Sequence, residues 1–197
     1  MSAPKDSVPG IPANDFLKNL AVRLESDADQ EWIEALHALC FGPGRFARTA
    51  FRVRERIDPD PRYCFCAETG GRPISSVKMT PIAVGGVPGY LLGPLATDPA
   101  FRNRGAGRVL VRRATEAAMS DGTTRFVLLV GDEPYYGPLG FRRTVRGAVP
   151  FPGPVDPDRV LVHCDDALIA GLAGPVGARS HRSGAPPPAD DRHQRAD

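Results

Sequence analysis

The apolar and polar positions of this chain follow two periods, one of two residues and one of three to four, and together they predict a mixed α/β fold. Residues 20–24 alternate between apolar and polar side chains, which predicts a short strand. An amphipathic helix follows, and Asp27 to Gln30 resembles the capping box that begins such a helix. Its predicted apolar stripe consists of Trp32, Ile33, Leu36, Leu39 and Cys40. After Gly42-Pro43-Gly44, a second helical piece is predicted from Phe46 to Ile57.

Three strands separated by glycine-rich turns are predicted next, as in an antiparallel meander. They cover residues 63–68, 74–84 and 90–97. A helix is predicted after Gly107, with Leu110, Val111, Ala114, Ala117 and Ala118 on one face. The continuous apolar run 126–130 is typical of a parallel strand that is buried on both faces. A last strand is predicted at 159–164, and the proline-rich segment 149–157 before it is a candidate substrate lid.

Both ends of the chain differ in composition from this central part. Residues 1–18 are rich in Pro, Ser and Asp and are predicted to be a flexible N-terminal segment. Residues 176–197 form a tail rich in Pro, Arg and Asp that has no large apolar residue beyond its first position, so a disordered tail is predicted. One domain spanning 19–175 is therefore expected in this 197-residue chain.

Composition limits the classes of function. The hydrophobic fraction is 42% and the net charge is +2, so the chain has enough apolar residues for a core and no charge excess that would favour nucleic acid. No apolar run approaches the ~20 residues of a membrane helix, and no secretory signal is apparent. The four cysteines lack zinc-site spacing and are interpreted as reduced residues in a cytoplasmic protein. We expect neither a metal nor a membrane partner.

The segment from Leu95 to Arg108 carries the strongest chemical signal. Arg102, Gly105 and Gly107 form an Arg-x-x-Gly-x-Gly pattern between a strand and a helix. Glycines allow a sharp turn and a close ligand approach, and the helix start offers unpaired N–H groups to a phosphate. The alternative is a tight turn with solvated arginines. A Walker loop does not fit because no lysine follows, and a dinucleotide fingerprint lacks its third glycine because Leu110 stands there.

This block resembles the acyl-CoA signature Gln/Arg-x-x-Gly-x-Gly/Ala of the GCN5-related N-acetyltransferases. A second matching segment is Tyr135-Tyr136-Gly-Pro-Leu-Gly-Phe141, in which a tyrosine precedes the phenylalanine of a Leu-Gly-Phe turn by five residues. The run from Leu91 to Phe141 is most similar to the YhbS-like branch, and the resemblance extends over about 19–175. It implies a mixed, mostly antiparallel sheet with a central strand–loop–helix–strand acyl-CoA unit and flanking helices.

The resemblance also implies a set of site residues. Acetyl-CoA is the expected co-substrate, with its pyrophosphate on the glycine loop and its pantetheine arm along the backbone of the preceding strand. Pro94 cannot donate to a sheet ladder, which fits a place where strands part to open a slot. The expected binding residues are Leu95, Ala96, Thr97, Arg102, Asn103, Arg104, Gly105, Ala106, Gly107 and Arg108. Tyr136 is the expected catalytic acid that protonates the leaving thiolate, and Tyr135 is interpreted as a packing residue.

The general base is left open by the sequence. Glu68, Asp132 and Glu133 are candidates, with His37 a weaker one on a helix that has an apolar stripe. The alternative role for Asp132 is to cap a short helix. An amine that arrives neutral would need no base.

The sequence therefore predicts an acetyl-CoA-dependent N-acetyltransferase that acts on a small-molecule or peptide amine. A non-catalytic acyl-CoA-binding sensor or interaction module is the chief alternative, and a nucleotide-binding protein is a third. The acceptor and the oligomeric state remain open, with a homodimer among the assemblies considered.

Overall fold

The computed structural model describes residues 13–43, 49–55 and 57–179. Its helices are α1 (Ala13–Lys18), α2 (Gln30–Phe41), α3 (Thr49–Arg54), α4 (Ala106–Met119), α5 (Glu133–Tyr136) and α6 (Asp166–Ile169). Its strands are β1 (Leu20–Leu24), β2 (Phe65–Thr69), β3 (Arg72–Val84), β4 (Val87–Thr97), β5 (Val127–Val130), β6 (Arg142–Arg143), β7 (Val160–His163) and β8 (Val176–Ala178). The predicted order of elements is confirmed.

These strands form one sheet in the order β1-β2-β3-β4-β5-β7-β6, with β8 paired to the far end of β3. The predicted three-stranded meander is the run β2 to β4, and β1 extends it, with each neighbouring pair antiparallel. Only β4 and β5 pair in parallel, among the described strands, and α4 is the crossover between them. The predicted mixed, mostly antiparallel sheet with flanking helices is therefore correct.

Apolar side chains cover both faces of the sheet. On one face, α4 buries the side chains of Leu110, Val111, Ala114 and Ala118 against β2, β3 and β4. On the other face a second cluster surrounds Leu91, Phe126, Leu128 and Val162. The strand β5 contributes to both clusters, as its uninterrupted apolar run predicted.

The helix α2 differs from its prediction in which side chains it buries. Ile33, Leu36 and His37 face the protein, whereas Leu39 is 66% exposed. The buried face is thus centred on positions i, i+3 and i+4, and the predicted stripe extended too far around the helix. The cap also lies one residue earlier than predicted, because the carboxylate of Asp29 accepts hydrogen bonds from the N–H and hydroxyl of Ser26.

The folded domain extends beyond both ends of the predicted range 19–175. Residues 13–18, predicted to be flexible, form α1, and Phe16 is completely buried beside Phe101. Residues 176–178, predicted to lie in the tail, form β8 against β3. One large aromatic side chain attaches residues 13–18, and three ladder residues attach residues 176–178. The average composition of a segment does not reveal contacts of this kind. The remaining predicted flexible and disordered residues, 1–12 and 180–197, lie outside the described residues, as do Phe46 and the rest of 44–48 and Arg56.

The proline-rich segment 149–157 is attached to the domain. Val149 is buried, and Phe151 and Val155 pack against the second apolar cluster. The carbonyl oxygen of Pro150 accepts a hydrogen bond from the N–H of Val176 at 3.0 Å. A role as a substrate lid stays a prediction.

Within the described ranges, no helix is both long enough and apolar enough to cross a bilayer.

Candidate functional site

The site begins where β4 and β5 separate. Their parallel pairing consists of Tyr90 with Val127 and Leu91 with Leu128. Beyond Leu91, β4 continues to Thr97 while β5 pairs only with β7, so one edge of β4 is left facing a gap. The register between β3 and β4 also shifts in this stretch, between the pairs Val77–Leu95 and Met79–Leu92. The predicted parting of strands near Pro94 is confirmed.

The loop from Thr97 to Ala106 lies at the end of this gap. Asp98 begins a short 3-10 turn, and its carboxylate accepts the N–H of Ala100 at 2.9 Å. Gly105 is in the left-handed region with φ +95°, a conformation that a side chain disfavours, and it is the N-cap of α4. The glycine therefore turns the chain at the point where a 14-residue helix begins, and the first N–H groups of that helix have no partner within it.

Together the strand edge and the loop enclose a cleft of about 670 Å³. All ten residues predicted to bind the co-substrate line it: Leu95, Ala96, Thr97, Arg102, Asn103, Arg104, Gly105, Ala106, Gly107 and Arg108. Four further residues complete the lining: Cys40, Phe41, Phe101 and Tyr135.

The cleft has an electropositive end. Arg102, Arg104 and Arg108 are all at least partly exposed, and no carboxylate of a described residue forms an ion pair with any of them. Their charge adds to the partial positive charge at the start of α4. An anion such as a phosphate is therefore the favoured occupant of this end.

The last turn of α2 forms another wall of the cleft. Phe41 lines it, and the thiol of Cys40 lies 3.3 Å from the carbonyl oxygen of Thr97. One turn earlier, His37 is buried, with Nε2 3.5 Å from Oγ of Ser76. These contacts join α2 to β3 and to the edge of β4. The helical pattern predicts Cys40 as part of the apolar stripe and does not indicate a role in the site.

Tyr135 lines the cleft, so the prediction of a packing residue is wrong in this respect. A Cβ placed on Gly107 would lie 2.8 Å from the hydroxyl oxygen of Tyr135 and 3.4 Å from Oγ1 of Thr97. The ring of Tyr135 also lies 5.3 Å from the guanidinium carbon of Arg108. The missing side chain of Gly107 thus makes room for the phenol, which connects the helix start to the strand.

Tyr136 lies behind this wall and is not among the residues that line the cleft. Its ring packs edge-on against Phe141 at a centroid distance of 5.9 Å and lies on the backbone of Gly131, where a Cβ would be 2.3 Å from the ring. Burial is the main reason why the pKa of the Tyr136 phenol is raised well above its ordinary value. The hydroxyl therefore stays protonated across the physiological range.

The candidate bases are distributed around the domain. Glu68 lies on β2, two strands away from the cleft edge, and its carboxylate accepts a hydrogen bond from Nε of Arg23 at 3.0 Å. Asp132 occupies the N-cap position of α5, as predicted, but its carboxylate pairs with Arg159 at 3.1 Å instead of accepting a helix N–H. Glu133 pairs with Arg143 at 2.7 Å.

In the described residues, no three His, Cys, Asp or Glu side chains are grouped in a way that would hold a metal ion. The four cysteines are free thiols.

Comparison with known proteins agrees with this geometry. The model of the acetyltransferase (GNAT) family matches residues 28–141. This range includes the whole cleft and excludes α1 and β1. Among curated proteins, no match is found.

Several solved structures share the fold. The GNAT family N-acetyltransferase YhbS from Escherichia coli, solved in complex with CoA, is 24% identical, with a TM-score of 0.66 over 81% of this chain and 89% of that one. A GNAT family acetyltransferase from Brucella melitensis, in complex with acetyl-CoA, is 23% identical, with a TM-score of 0.52 over 76% and 97%. Arabidopsis thaliana Naa50, with the bisubstrate analogue CoA-Ac-MVNAL, is 12% identical, with a TM-score of 0.51 over 75% and 99%.

Proposed function

Because the chain belongs to the GNAT family of acetyltransferases, we propose that it transfers the acetyl group of acetyl-CoA to an amine and that the cleft beside β4 is its donor site. The observation that carries this proposal is the convergence of the β4 edge and the glycine loop on one cleft with a basic end. An elongated thioester that ends in phosphates matches a slot with that charge distribution.

Each part of the cleft has a separate task in this proposal. The N–H groups at the start of α4 bind the pyrophosphate, with Arg102, Arg104 and Arg108 supplying charge. The edge of β4 that faces the gap, at Leu95 to Thr97, forms hydrogen bonds with the amide groups of the pantetheine arm, as a neighbouring strand would. A backbone N–H on this edge polarises the thioester carbonyl.

The reaction itself requires little from the protein beyond position and one proton. The amine nitrogen attacks the carbonyl carbon, the C–S bond breaks, and the amine loses a proton. The departing thiolate accepts a proton, for which we propose the Tyr136 phenol as the donor, and water then returns a proton to the phenolate. Because burial raises its pKa, the phenol is protonated when the thiolate departs, but it is a weaker acid than an exposed tyrosine.

No carboxylate is assigned as the base. The three acidic candidates are held by arginines, and the side chain of Asp132 is largely exposed in its pair. We therefore propose that a small-molecule or peptide amine enters in its neutral form and loses its proton to water after attack. This predicts a rate that rises with pH as the fraction of neutral amine increases.

A panel of amines with acetyl-CoA, followed by thiol release, tests the proposal. Thiol release that depends on a particular amine, together with acetylation of that amine by mass spectrometry, is the expected result. Tight CoA binding without turnover on any amine would favour the second candidate, an acyl-CoA-binding sensor. One observation favours that candidate: Tyr136 lies outside the cleft lining. Binding of ATP or NAD in preference to CoA would reject both.

A further inference from the structure

The first described helix contacts the cleft loop although it lies outside the matched family residues. Phe16, on α1, belongs to a small apolar cluster with Ile74, Phe101 and Ala106. The rings of Phe16 and Phe101 are stacked, with centroids 6.2 Å apart and planes 28° apart. Since Phe101 and Ala106 flank the glycine loop in sequence, α1 is attached directly to the cleft wall.

Arg104 lies against both of these rings. Its guanidinium carbon is 5.5 Å from the ring centroid of Phe16 and 5.9 Å from that of Phe101. Both distances fall within the range of a cation–π contact. An aromatic face fixes the guanidinium through its plane and leaves the N–H donors unused, whereas a carboxylate partner would occupy them. No described carboxylate forms an ion pair with Arg104, and the residue lines the cleft.

The same helix also covers the next residue of the loop. A Cβ placed on Gly105 would lie 3.2 Å from Cδ2 of Leu17. Two consecutive residues of α1 therefore contact two consecutive residues of the loop, Phe16 with Arg104 and Leu17 with Gly105. This contact restricts both the backbone turn and the arginine side chain.

We infer that Phe16 is a positioning residue: together with Phe101 it holds Arg104 in the orientation that binds a phosphate group of CoA, so α1 is part of the donor site. The inference rests on the proposed function. A free arginine would lose much of its side-chain entropy on binding, and prior fixation reduces this cost. CoA offers two phosphate sources, its pyrophosphate and its 3′-phosphate, and the chemistry that Arg104 recognises is common to both.

Calorimetric titration with CoA tests the inference on the wild type, Phe16→Leu, Arg104→Gln and the double variant. Leucine keeps the buried position apolar and removes the ring. We expect F16L to weaken CoA binding about 5- to 10-fold and R104Q to weaken it at least as much. In the R104Q background, F16L should change the Kd by less than about twofold. At saturating acetyl-CoA, kcat of F16L should equal that of the wild type.

Phe65→Leu is the matched control. Phe65 is also buried, and the guanidinium carbon of Arg113 lies 5.2 Å from its ring, but Arg113 does not line the cleft. F65L should lower thermal stability and leave the Kd for CoA unchanged. A loss of affinity in F65L as large as in F16L would show that general destabilisation is the cause and would overturn the inference.

Repeating the titrations with 3′-dephospho-CoA identifies the phosphate. An effect of F16L on CoA alone assigns Arg104 to the 3′-phosphate, and an equal effect on both ligands assigns it to the pyrophosphate. Wild-type affinity in R104Q overturns the inference even if F16L does not fold, and so does a full F16L effect in the R104Q background. Failure of the wild type to bind CoA would instead reject the proposed function.

Discussion

The contact between Gly107 and Tyr135 gives a stability prediction whose sign depends on a second residue. Alanine is favoured over glycine inside a helix by up to about 1 kcal/mol. At position 107, however, the new Cβ would lie 2.8 Å from the hydroxyl oxygen of Tyr135, closer than a Cβ normally approaches any atom. Overpacking of this kind costs about 1–3 kcal/mol. Gly107→Ala should therefore lower the free energy of unfolding by about 0–2 kcal/mol.

Removing the hydroxyl should reverse the sign. In a Tyr135→Phe background the obstructing oxygen is absent, so only the helix preference remains and G107A should stabilise the protein by about 0.5–1 kcal/mol. This corresponds to a rise in Tm of roughly 1–4 °C for a chain of this size. Urea unfolding of the four proteins in this double-mutant cycle would measure the coupling, which we expect to be about 1–3 kcal/mol.

Gly137→Ala is the control for the substitution itself. The backbone at 137 is right-handed helical, and a Cβ there would meet its nearest atom, Cγ of Glu133, at an ordinary 3.8 Å. Its effect should be the same with and without the Tyr135 hydroxyl. The reasoning is refuted if G107A stabilises the wild type as much as it stabilises Y135F. If the absence of a side chain at Gly107 also leaves space for the ligand, the stable double variant G107A/Y135F should still bind CoA at least about tenfold more weakly than Y135F does.

Three further predictions concern single residues. Tyr136→Phe should retain acetyl-CoA binding and reduce kcat by ~10²–10⁴-fold if proton donation limits the rate, and an unchanged kcat in a chemistry-limited enzyme would exclude Tyr136 as the acid. Because the raised pKa keeps the phenol protonated, the wild-type rate should fall only at a pH well above the ordinary pKa of tyrosine. Iodoacetamide should alkylate Cys40 before Cys66, because burial raises the pKa of the Cys66 thiol to about 12. Acetyl-CoA should slow the labelling of Cys40 alone, measured by peptide mass spectrometry, and equal labelling of Cys40 with and without acetyl-CoA would place the ligand elsewhere. Asp29→Asn should lower the free energy of unfolding by about 1 kcal/mol at pH 7, because hydrogen bonds from Arg23 hold the pKa of the Asp29 carboxyl well below its usual range. The stability that this lowered pKa provides is present above about pH 4 and lost below it, so the difference in unfolding free energy between the variant and the wild type should narrow in acid, and a difference that stays constant with pH would contradict this.

Sequence patterns predicted the parts of the molecule in which local and global signals agree. The alternating strands of the meander, the apolar run of β5 and the glycine loop before α4 each carry their information within a few neighbouring residues. All ten expected binding residues line one cleft for the same reason, because they lie close together in sequence on one strand end, one loop and one helix start.

Tertiary contacts decided the features that were missed. Nothing near Phe16 in sequence indicates that its partners are Phe101 and Arg104, about 85 residues later. The exposure of Leu39 depends on how α2 is rotated against β4, which helical spacing alone does not determine. Tyr135 and Tyr136 are adjacent and chemically identical, so their placement on different sides of the cleft wall follows from the short helix that carries them.

The central claim is that acetyl-CoA binds between the β4 edge and the start of α4. Hydrogen–deuterium exchange measured by mass spectrometry, with and without acetyl-CoA, tests it most directly. We predict that the ligand slows exchange in peptides covering Leu95 to Thr97 and Gly105 to Val109 and leaves β1 and β6 unchanged. Protection confined to other parts of the sheet, or no protection at saturating acetyl-CoA, would contradict the assignment of this cleft.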